Sequence, residues 1–424
     1  MTLNIGLVGL THLGTCYSIA LAYKGANVIA FDFDSNTRSD RLLGNFDPAE
    51  PDIVQFLKNP KNNFRITENI SELEKCDLLI YAKDTNLATE KYLALSLISS
   101  EINLFSETIK NDAPLIVMSQ VPPGFTRQFE NLNRQIYYQV ETLIFGDGLN
   151  RALSPERIIF GKKDERADLP KIVRKFAEIF NCTFLEMSYE SAELTKMAIN
   201  IVLSANITAA NSLAELSNLS GGNWTHIENA LRLDKRIGES AYVSPGLGLG
   251  GTNLNRDIDF AKLIAEEGGI NATFFKSLLD HSRHMQNWLI REVTKIKQSG
   301  EKLDTITILG LSYKPGTQST YGSAGYQLLE ILDSSVKIFV HDPVVRLPTM
   351  KTSSNVKQIS EPSIHLKESD LIVISTNWPE YQGIVESIIK EGSMVKILDP
   401  YRIIRKNSTG LTKSKVIQLG VYEK

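Results

Sequence analysis

The sequence predicts an α/β chain: two doubly wound parallel-sheet domains joined by a long central helix and a helical middle domain. Three observations predict it. Short apolar runs alternate with helix-compatible stretches toward both ends of the chain, which is the pattern of a parallel sheet wrapped by helices. Between them lies a proline-free stretch long enough for one helix of about 30 residues. A glycine turn closes the first apolar run and an acid closes the second, as in a βαβ unit with a tight first connection.

The elements follow in order. Leu3 to Gly9 (LNIGLVG) is a first strand, a helical pattern runs from Leu13 to Tyr23, and Asn27 to Phe33 (NVIAFDF) is a second strand. Leu78–Ala82 (LLIYA) and Leu115–Ser119 (LIVMS) continue the alternation. From Ser191 to Gly222 the chain is rich in Ala, Leu, Ile and Asn, and Gly221 and Gly222 stop it. About 30 residues at a rise of about 1.5 Å make a helix about 45 Å long, suited to a domain spine or a dimer contact. Asn206, Asn211 and Ser212 imply polar neighbours along it. After Leu303 strands are expected at Ile306–Leu311, Val336–Val340, Leu371–Ser375 and Met394–Leu398. Each is followed by a turn: Tyr313-Lys314-Pro315-Gly316, Asp342-Pro343, Thr376-Asn377-Trp378-Pro379 and Asp399-Pro400. The expected domains span residues 1–189, 190–300 and 301–424. The two βα halves are compatible with a distant duplication, which sequence alone leaves open.

Composition narrows the function. The 424 residues carry 46 Lys plus Arg against 49 Asp plus Glu, a net charge of −3, with 42% hydrophobic residues. That apolar content offsets the ordering entropy and excludes a largely disordered chain. A net negative chain lacks the field by which a general nucleic-acid binder releases counterions, so an anionic ligand needs backbone amides or a few placed Lys and Arg. Cys16, Cys76 and Cys182 are far apart, and neither a disulfide framework nor a metal site is expected. Met1 to Gly9 lacks the features of a signal peptide, and no uncharged apolar run reaches the roughly 20 residues of a bilayer span. The expectation is a cytoplasmic protein without nucleic-acid or membrane partners.

Gly9-Leu10-Thr11-His12-Leu13-Gly14 follows a strand and opens a helix, and is to be compared with G-x-G-x-x-G. Gly9 permits the tight turn and Gly14 lets the helix pack closely. Thr11 replaces the middle glycine, so a Cβ crowds the point where backbone normally meets a pyrophosphate. The helix N-terminus still offers free N–H groups and partial positive charge to a phosphate. Asp32 lies 23 residues past Gly9. An acid there accepts hydrogen bonds from the adenosine ribose hydroxyls and repels a 2′-phosphate, favouring NAD over NADP. The alternative is a Rossmann-like layer that has lost its dinucleotide.

Seven further segments occur in a fixed order. They are Val121-Pro122-Pro123-Gly124, Glu141 within VETLIFG, Pro155 to Gly161 (PERIIFG), Lys196-Met197-Ala198-Ile199-Asn200, Asp234-Lys235-Arg236-Ile237-Gly238, Gly248 to Asp257 (GLGGTNLNRD) and Gly310-Leu311-Ser312-Tyr313-Lys314-Pro315. With them the chain resembles, nearly end to end, the UDP-glucose/GDP-mannose dehydrogenase family. The resemblance implies an N-terminal NAD domain and a C-terminal nucleotide-sugar domain. It implies NAD-dependent oxidation of the C6 alcohol of a UDP-sugar or GDP-sugar for polysaccharide biosynthesis, which the family carries to the acid through a cysteine thiohemiacetal. It implies catalytic positions at Lys196, Asn200, Asp257, Glu141 and the cysteine-equivalent Asn253. It implies cofactor contacts at Gly9, Thr11, His12, Leu13, Gly14, Asp32, Thr85 and Val121, and substrate contacts at Arg236, Tyr242, Gly250 and Lys314. It also implies a homodimer through the central helix, with Arg236 reaching the neighbouring subunit's site.

The residue chemistry agrees with those roles. Lys196 and Asn200 are four apart and share a helical face, and a cation and an amide donor on one oxygen form an oxyanion site. Asp257 is suited to hold a water or act as general base. Arg236 and Lys314 supply charge for an anionic substrate. A blander reading pairs Lys196 with Glu193 on a solvated face, although Ala192 and Ile199 make that face apolar.

The departures bear on the reaction. Asn253 stands at the family's cysteine position, and an amide is not a nucleophile at neutral pH. Phe145 replaces a glutamate, Gln120 replaces a threonine, and Gln318-Ser319-Thr320-Tyr321-Gly322-Ser323 replaces D-D-x-R-x-S. The expectation is a nucleotide-sugar dehydrogenase that makes an aldehyde, or an acid without a thioester. The competing expectation is a catalytically inactive NAD- or nucleotide-sugar-binding homologue acting as a pathway partner.

Overall fold

A computed structural model of the chain describes residues 2–46, 50, 52–58, 63–84, 91–144, 146–348, 355–391, 394–404 and 415–422. The chain divides into two compact units, Met1–Ile199 and Asn200–Lys424, and the division falls inside the central helix.

Among the described residues the first unit holds one eight-stranded sheet, ordered β3-β2-β1-β4-β5-β6-β7-β8. Its strands are β1 (Asn4–Val8), β2 (Asn27–Phe31), β3 (Phe64–Ile66), β4 (Leu78–Tyr81), β5 (Leu115–Val117), β6 (Ile136–Gln139), β7 (Arg157–Lys162) and β8 (Thr183–Ser188). β4, β5 and β6 are buried at every position, as expected where helices cover both faces of a parallel sheet. β1 pairs in parallel with both β2 and β4, so the strand order reverses beside β1. Ligands of open α/β sheets bind at such a switch point, beyond the carboxyl ends of the strands.

The sheet is not wholly parallel. β6 and β7 run antiparallel, with Tyr138 opposite Gly161. Between them lies the six-residue helix Gly148–Leu153. Six residues rise only about 9 Å, too little to carry the chain back along a strand, so it re-enters the sheet from the end at which it left.

The first helix, His12–Tyr23, is buried from Leu13 to Ala22, which requires close approach to its neighbours. Gly9 has φ +110°, and a Cβ there would lie 2.5 Å from the Ala82 carbonyl oxygen. A Cβ on Gly14 would collide with the Gly9 carbonyl oxygen. Both glycine roles expected from the sequence are therefore present.

The second unit holds a sheet ordered β11-β10-β9-β12-β13-β14 among its described residues. The strands are β9 (Thr305–Leu309), β10 (Lys337–His341), β11 (Val356–Gln358), β12 (Leu371–Ile374), β13 (Lys396–Asp399) and β14 (Val416–Gln418). Its first βαβ unit repeats the turn chemistry of the first sheet. The Gly9 N–H donates to the Phe31 carbonyl and the Gly310 N–H to the His341 carbonyl, both at 2.8 Å. The Leu10 N–H donates to Asp32 and the Leu311 N–H to Asp342, both at 2.7 Å. A Cβ on Gly325 would lie 2.7 Å from the Gly310 carbonyl oxygen, matching the fit of Gly14 to Gly9. Structure thus supplies the correspondence between the halves that sequence leaves open. Four residues separate Gly9 from Gly14, but fourteen separate Gly310 from Gly325. The loop that carries Lys314 is an insertion into the repeated turn.

The central helix runs Tyr189–Ser220, 32 residues, two residues ahead of the expected bounds. Against the expectation above, it is long and apolar enough by composition to cross a bilayer, with mean hydropathy 1.3 in its best window. Part of its surface is packed against the protein, and 28% of that apolar stretch is buried. Ala192, Glu193 and Lys196 are buried in the first unit. In the second, Ile201, Ala205 and Ile207 pack against Leu249, Ile258 and Leu278, and Ala210 and Ala214 join a cluster with Trp224. Helices Trp224–Leu233, Asn253–Glu267, Thr273–Gln286 and Trp288–Gln298 complete the helical middle.

Candidate active site

In the first unit the glycine turn gathers most of the expected cofactor residues. Asp32 closes β2 and is 1% exposed. One oxygen accepts the Leu10 N–H at 2.7 Å, the other accepts the Asp34 N–H at 2.9 Å, and the Lys83 ammonium lies 3.6 Å away. The carboxylate expected to face a ribose therefore also braces the turn. Thr11 does more than crowd the loop: its Oγ1 accepts the Asp84 N–H at 2.8 Å. The Leu13 N–H, expected at a pyrophosphate, donates to Asp84 Oδ2 at 2.8 Å.

At two of the expected cofactor positions the side chain is turned into the protein. The His12 ring is turned into the protein, with Nε2 2.9 Å from Glu50 Oε1 and 3.7 Å from Cys16 Sγ. Glu50 Oε1 also accepts the Gly146 and Gly148 N–H groups at 3.0 and 2.9 Å, so this cluster anchors a loop. Val121 is 4% exposed within an apolar cluster containing Tyr81 and Phe129, so its side chain serves the core. Thr85 and Phe145 lie outside the described residues.

Lys196 is buried, and its partner is Glu141 rather than Glu193: Nζ lies 2.6 Å from Glu141 Oε1. Glu141 Oε2 accepts the Leu143 N–H at 2.9 Å. The solvated-face reading of Lys196 is thereby corrected. Glu193, with no exposed surface, accepts the Gly124 N–H at 2.5 Å and the Thr126 N–H at 2.7 Å. It ties the double-proline turn to the helix that carries Lys196. The signal for it was present: an acid on an apolar helical face must find donors.

Burial pushes the Glu193 carboxyl up to about 7 from an ordinary 4.5, against the lowering pull of its hydrogen bonds. The folded protein therefore holds a proton that the unfolded chain releases between those two values. Stability falls as pH rises through that window, and this group adds no further change above it. Melting temperature plotted against pH from about 5 to 7 is expected to fall less steeply for Glu193→Gln than for wild type. Identical slopes would exclude the assignment.

In the second unit Asn200 Nδ2 donates to Asp257 Oδ2 at 2.5 Å. Asp257 is 1% exposed, and Arg256 Nε lies 3.5 Å from its other oxygen. Asn253 is the exposed first residue of its helix. All three cysteines lie in the first unit, none of them in a disulfide. Asn255 Nδ2 holds the preceding loop through the Leu249 and Gly251 carbonyls, at 3.3 and 3.2 Å. Gly250 presses on the inserted loop, since a Cβ there would lie 2.7 Å from Tyr313. The Gly251 N–H donates to the Tyr321 carbonyl at 3.0 Å. Lys314 Nζ lies 5.9 Å from the Tyr313 ring centre. Gly250 and Lys314 thus meet around Tyr313, a residue the sequence did not single out. Arg236 instead extends into solvent, 88% exposed and bonded to Asp234 at 2.6 Å, and Tyr242 is 46% exposed.

The UDP-glucose/GDP-mannose dehydrogenase family matches through its NAD binding domain at residues 3–181, its central domain at 190–283 and its UDP binding domain at 307–406. The UDP-glucose 6-dehydrogenase of Rickettsia conorii is 25% identical over 422 residues, covering 96% of each chain. The UDP-N-acetyl-D-mannosamine dehydrogenase of Pyrococcus horikoshii is 26% identical over 428 residues, covering 96% of this chain and 97% of its own. The solved structure of a UDP-glucose dehydrogenase from Pyrobaculum islandicum has a TM-score of 0.83 at 20% identity, covering 100% of this chain and 98% of that one. At that identity the likeness establishes the fold.

Proposed function

The chain belongs to the UDP-glucose/GDP-mannose dehydrogenase family, and on that premise we propose that it oxidises the C6 alcohol of a UDP-sugar or GDP-sugar with NAD. The reaction stops at the aldehyde or reaches the acid without a thioester, in the service of polysaccharide biosynthesis. The observation that carries this reading is the retention of Lys196 and Asn200, one turn apart on a single helix, each with a carboxylate partner, Glu141 and Asp257. A non-catalytic homologue has no need of that set.

NAD, when bound, accepts the hydride. The turn from Gly9 into the first helix, with Asp32 at the end of β2, would hold it. The rest is done by the chain. The Lys196 ammonium donates to the alcohol oxygen and stabilises the developing alkoxide, with the Asn200 amide as second donor. Asp257 takes the proton, directly or through a water, and Asn200 orients its carboxylate. With Asn253 at the cysteine position, a second oxidation needs the hydrated aldehyde held by the same groups.

Purified protein incubated with NAD and a panel of UDP- and GDP-sugars tests the reading. One NADH per sugar with a trappable aldehyde, or two with the acid, supports it. No NADH from any sugar, with sugar-nucleotide binding intact, transfers the case to the inactive homologue. Asn253 is the observation that favours that second reading. Thermal stabilisation separates the two further, because a ligand at 100 times its Kd adds about 2.7 kcal/mol.

The homodimer belongs to the same proposal. Val202, Leu213 and Leu216 on the central helix are 59%, 47% and 56% exposed, and their spacing keeps them on one side of it. The wild type is expected to sediment as a dimer and Leu216→Glu as a monomer. A wild-type monomer at micromolar concentration rejects the assignment. Cys16, Cys76 and Cys182, none of them in a disulfide, suit a reducing, cytoplasmic setting.

A further inference from the structure

The N-terminus of the first helix, where a dinucleotide's diphosphate belongs, is met by a carboxylate from the chain itself. Asp84 Oδ2 accepts the Leu13 N–H at 2.8 Å. The first N–H groups of a helix have no intrahelical partners, and with the helix dipole they form the seat for a phosphate. A carboxylate has the charge sign that this seat prefers. The placement is held from two directions. Asp84 follows the end of β4, which neighbours β1 at the switch point. Its own N–H is fixed by Thr11 Oγ1 at 2.8 Å. A glycine at position 11 would supply no such acceptor. The threonine in the glycine turn and the acid beyond β4 therefore act as one device: the hydroxyl holds the backbone, and the backbone aims the carboxylate. The adjacent cation is committed elsewhere, since Lys83 Nζ lies 2.7 Å from Glu101 and 3.6 Å from Asp32.

We propose that Asp84 sets the affinity for the dinucleotide by competing with its diphosphate for the amides at the head of the first helix. The inference rests on the NAD reading of the glycine turn. It follows that NAD enters by displacing Asp84, and that Thr11 strengthens the competitor.

Calorimetric titration of the full chain with NAD, ADP-ribose and adenosine tests this in wild type, Asp84→Ala, Asp84→Asn and Thr11→Val. Asp84→Ala is expected to tighten NAD and ADP-ribose by about three- to ten-fold, the scale of one charge at a helix terminus. Asp84→Asn removes the charge but keeps an acceptor, and is expected to fall between wild type and Asp84→Ala. Thr11→Val keeps the bulk and loses the hydroxyl, and is expected to tighten both ligands. Adenosine, which lacks the diphosphate, is expected to bind all four alike. Equal or weaker NAD binding by Asp84→Ala overturns the proposal while leaving the NAD reading intact. So does adenosine tightening as much as NAD, which would mean a loosened loop rather than a vacated seat. A folded wild type and variants that all fail to bind NAD overturn both.

Discussion

Lys196→Ala is expected to lower kcat for sugar oxidation by about 10²–10³-fold, the usual cost of removing one donor from a developing oxyanion. Lys196 is well placed for that role and has little freedom to do anything else. Its ammonium is 2.6 Å from Glu141, with side-chain exposures of 9% and 12%. The same substitution strands the Glu141 carboxylate, and breaking a buried pair from one side costs about 3–5 kcal/mol. The two effects must be separated. The double variant Lys196→Met with Glu141→Gln removes both charges and is expected to recover much of the melting temperature without recovering kcat. Lys196→Arg keeps the charge but not the point geometry, and is expected to remain severely impaired. A kcat within ten-fold of wild type, in a folded Lys196→Ala that binds sugar nucleotide, would remove Lys196 from the chemistry.

Asp257→Asn is expected to lower kcat by about 10²–10⁴-fold, the range for loss of a positioned general base. An asparagine can still bond to Asn200, whose amide now lies 2.5 Å from the Asp257 carboxylate. It cannot take a proton. The effect should therefore fall on kcat rather than on KM. Arg256, 3.5 Å from Asp257, loses its counter-charge, so a melting curve belongs beside the kinetics. If a folded variant keeps a kcat within about ten-fold of wild type, the base is another group.

The two departures from the glycine turn and the cysteine loop pull in different directions. With Asn253 read as the cysteine position, the proposed reaction loses sulfur chemistry but keeps its first hydride transfer. Thr11 and Asp84 leave the chemistry alone and weigh on cofactor entry. A slow enzyme of weak NAD affinity and a binding homologue would therefore look alike in a single-concentration assay. Titration to high NAD tells them apart.

Much of the fold was legible because its signals are local. β1, β2, β4, β5, β9, β10, β12 and β13 each fall within or beside an apolar run bounded by turn residues. β3, β11 and β14 have three residues each and, unlike the equally short β5, are not buried throughout, so no apolar run marks them. The site was legible as a set of residue types at known spacings, such as Lys196 and Asn200 four apart. Its pairings were not. Glu141 is 55 residues from Lys196, and Asp84 is 71 from Leu13. Glu193, the near neighbour in sequence, turned instead to Gly124 and Thr126.

By itself the sequence determined where most of the strands and the long helix fall, where the glycine turns lie, and that no cysteine stands between Gly248 and Asp257. Those properties depend on dihedral preference, on periodicity over a few residues, and on side-chain identity. Only the tertiary structure decided that β7 turns against β6, that Lys196 faces Glu141, and that Asp84 sits at the head of the first helix. Each of these is settled by which distant groups reach the same few ångströms, where burial makes every donor and charge find a partner.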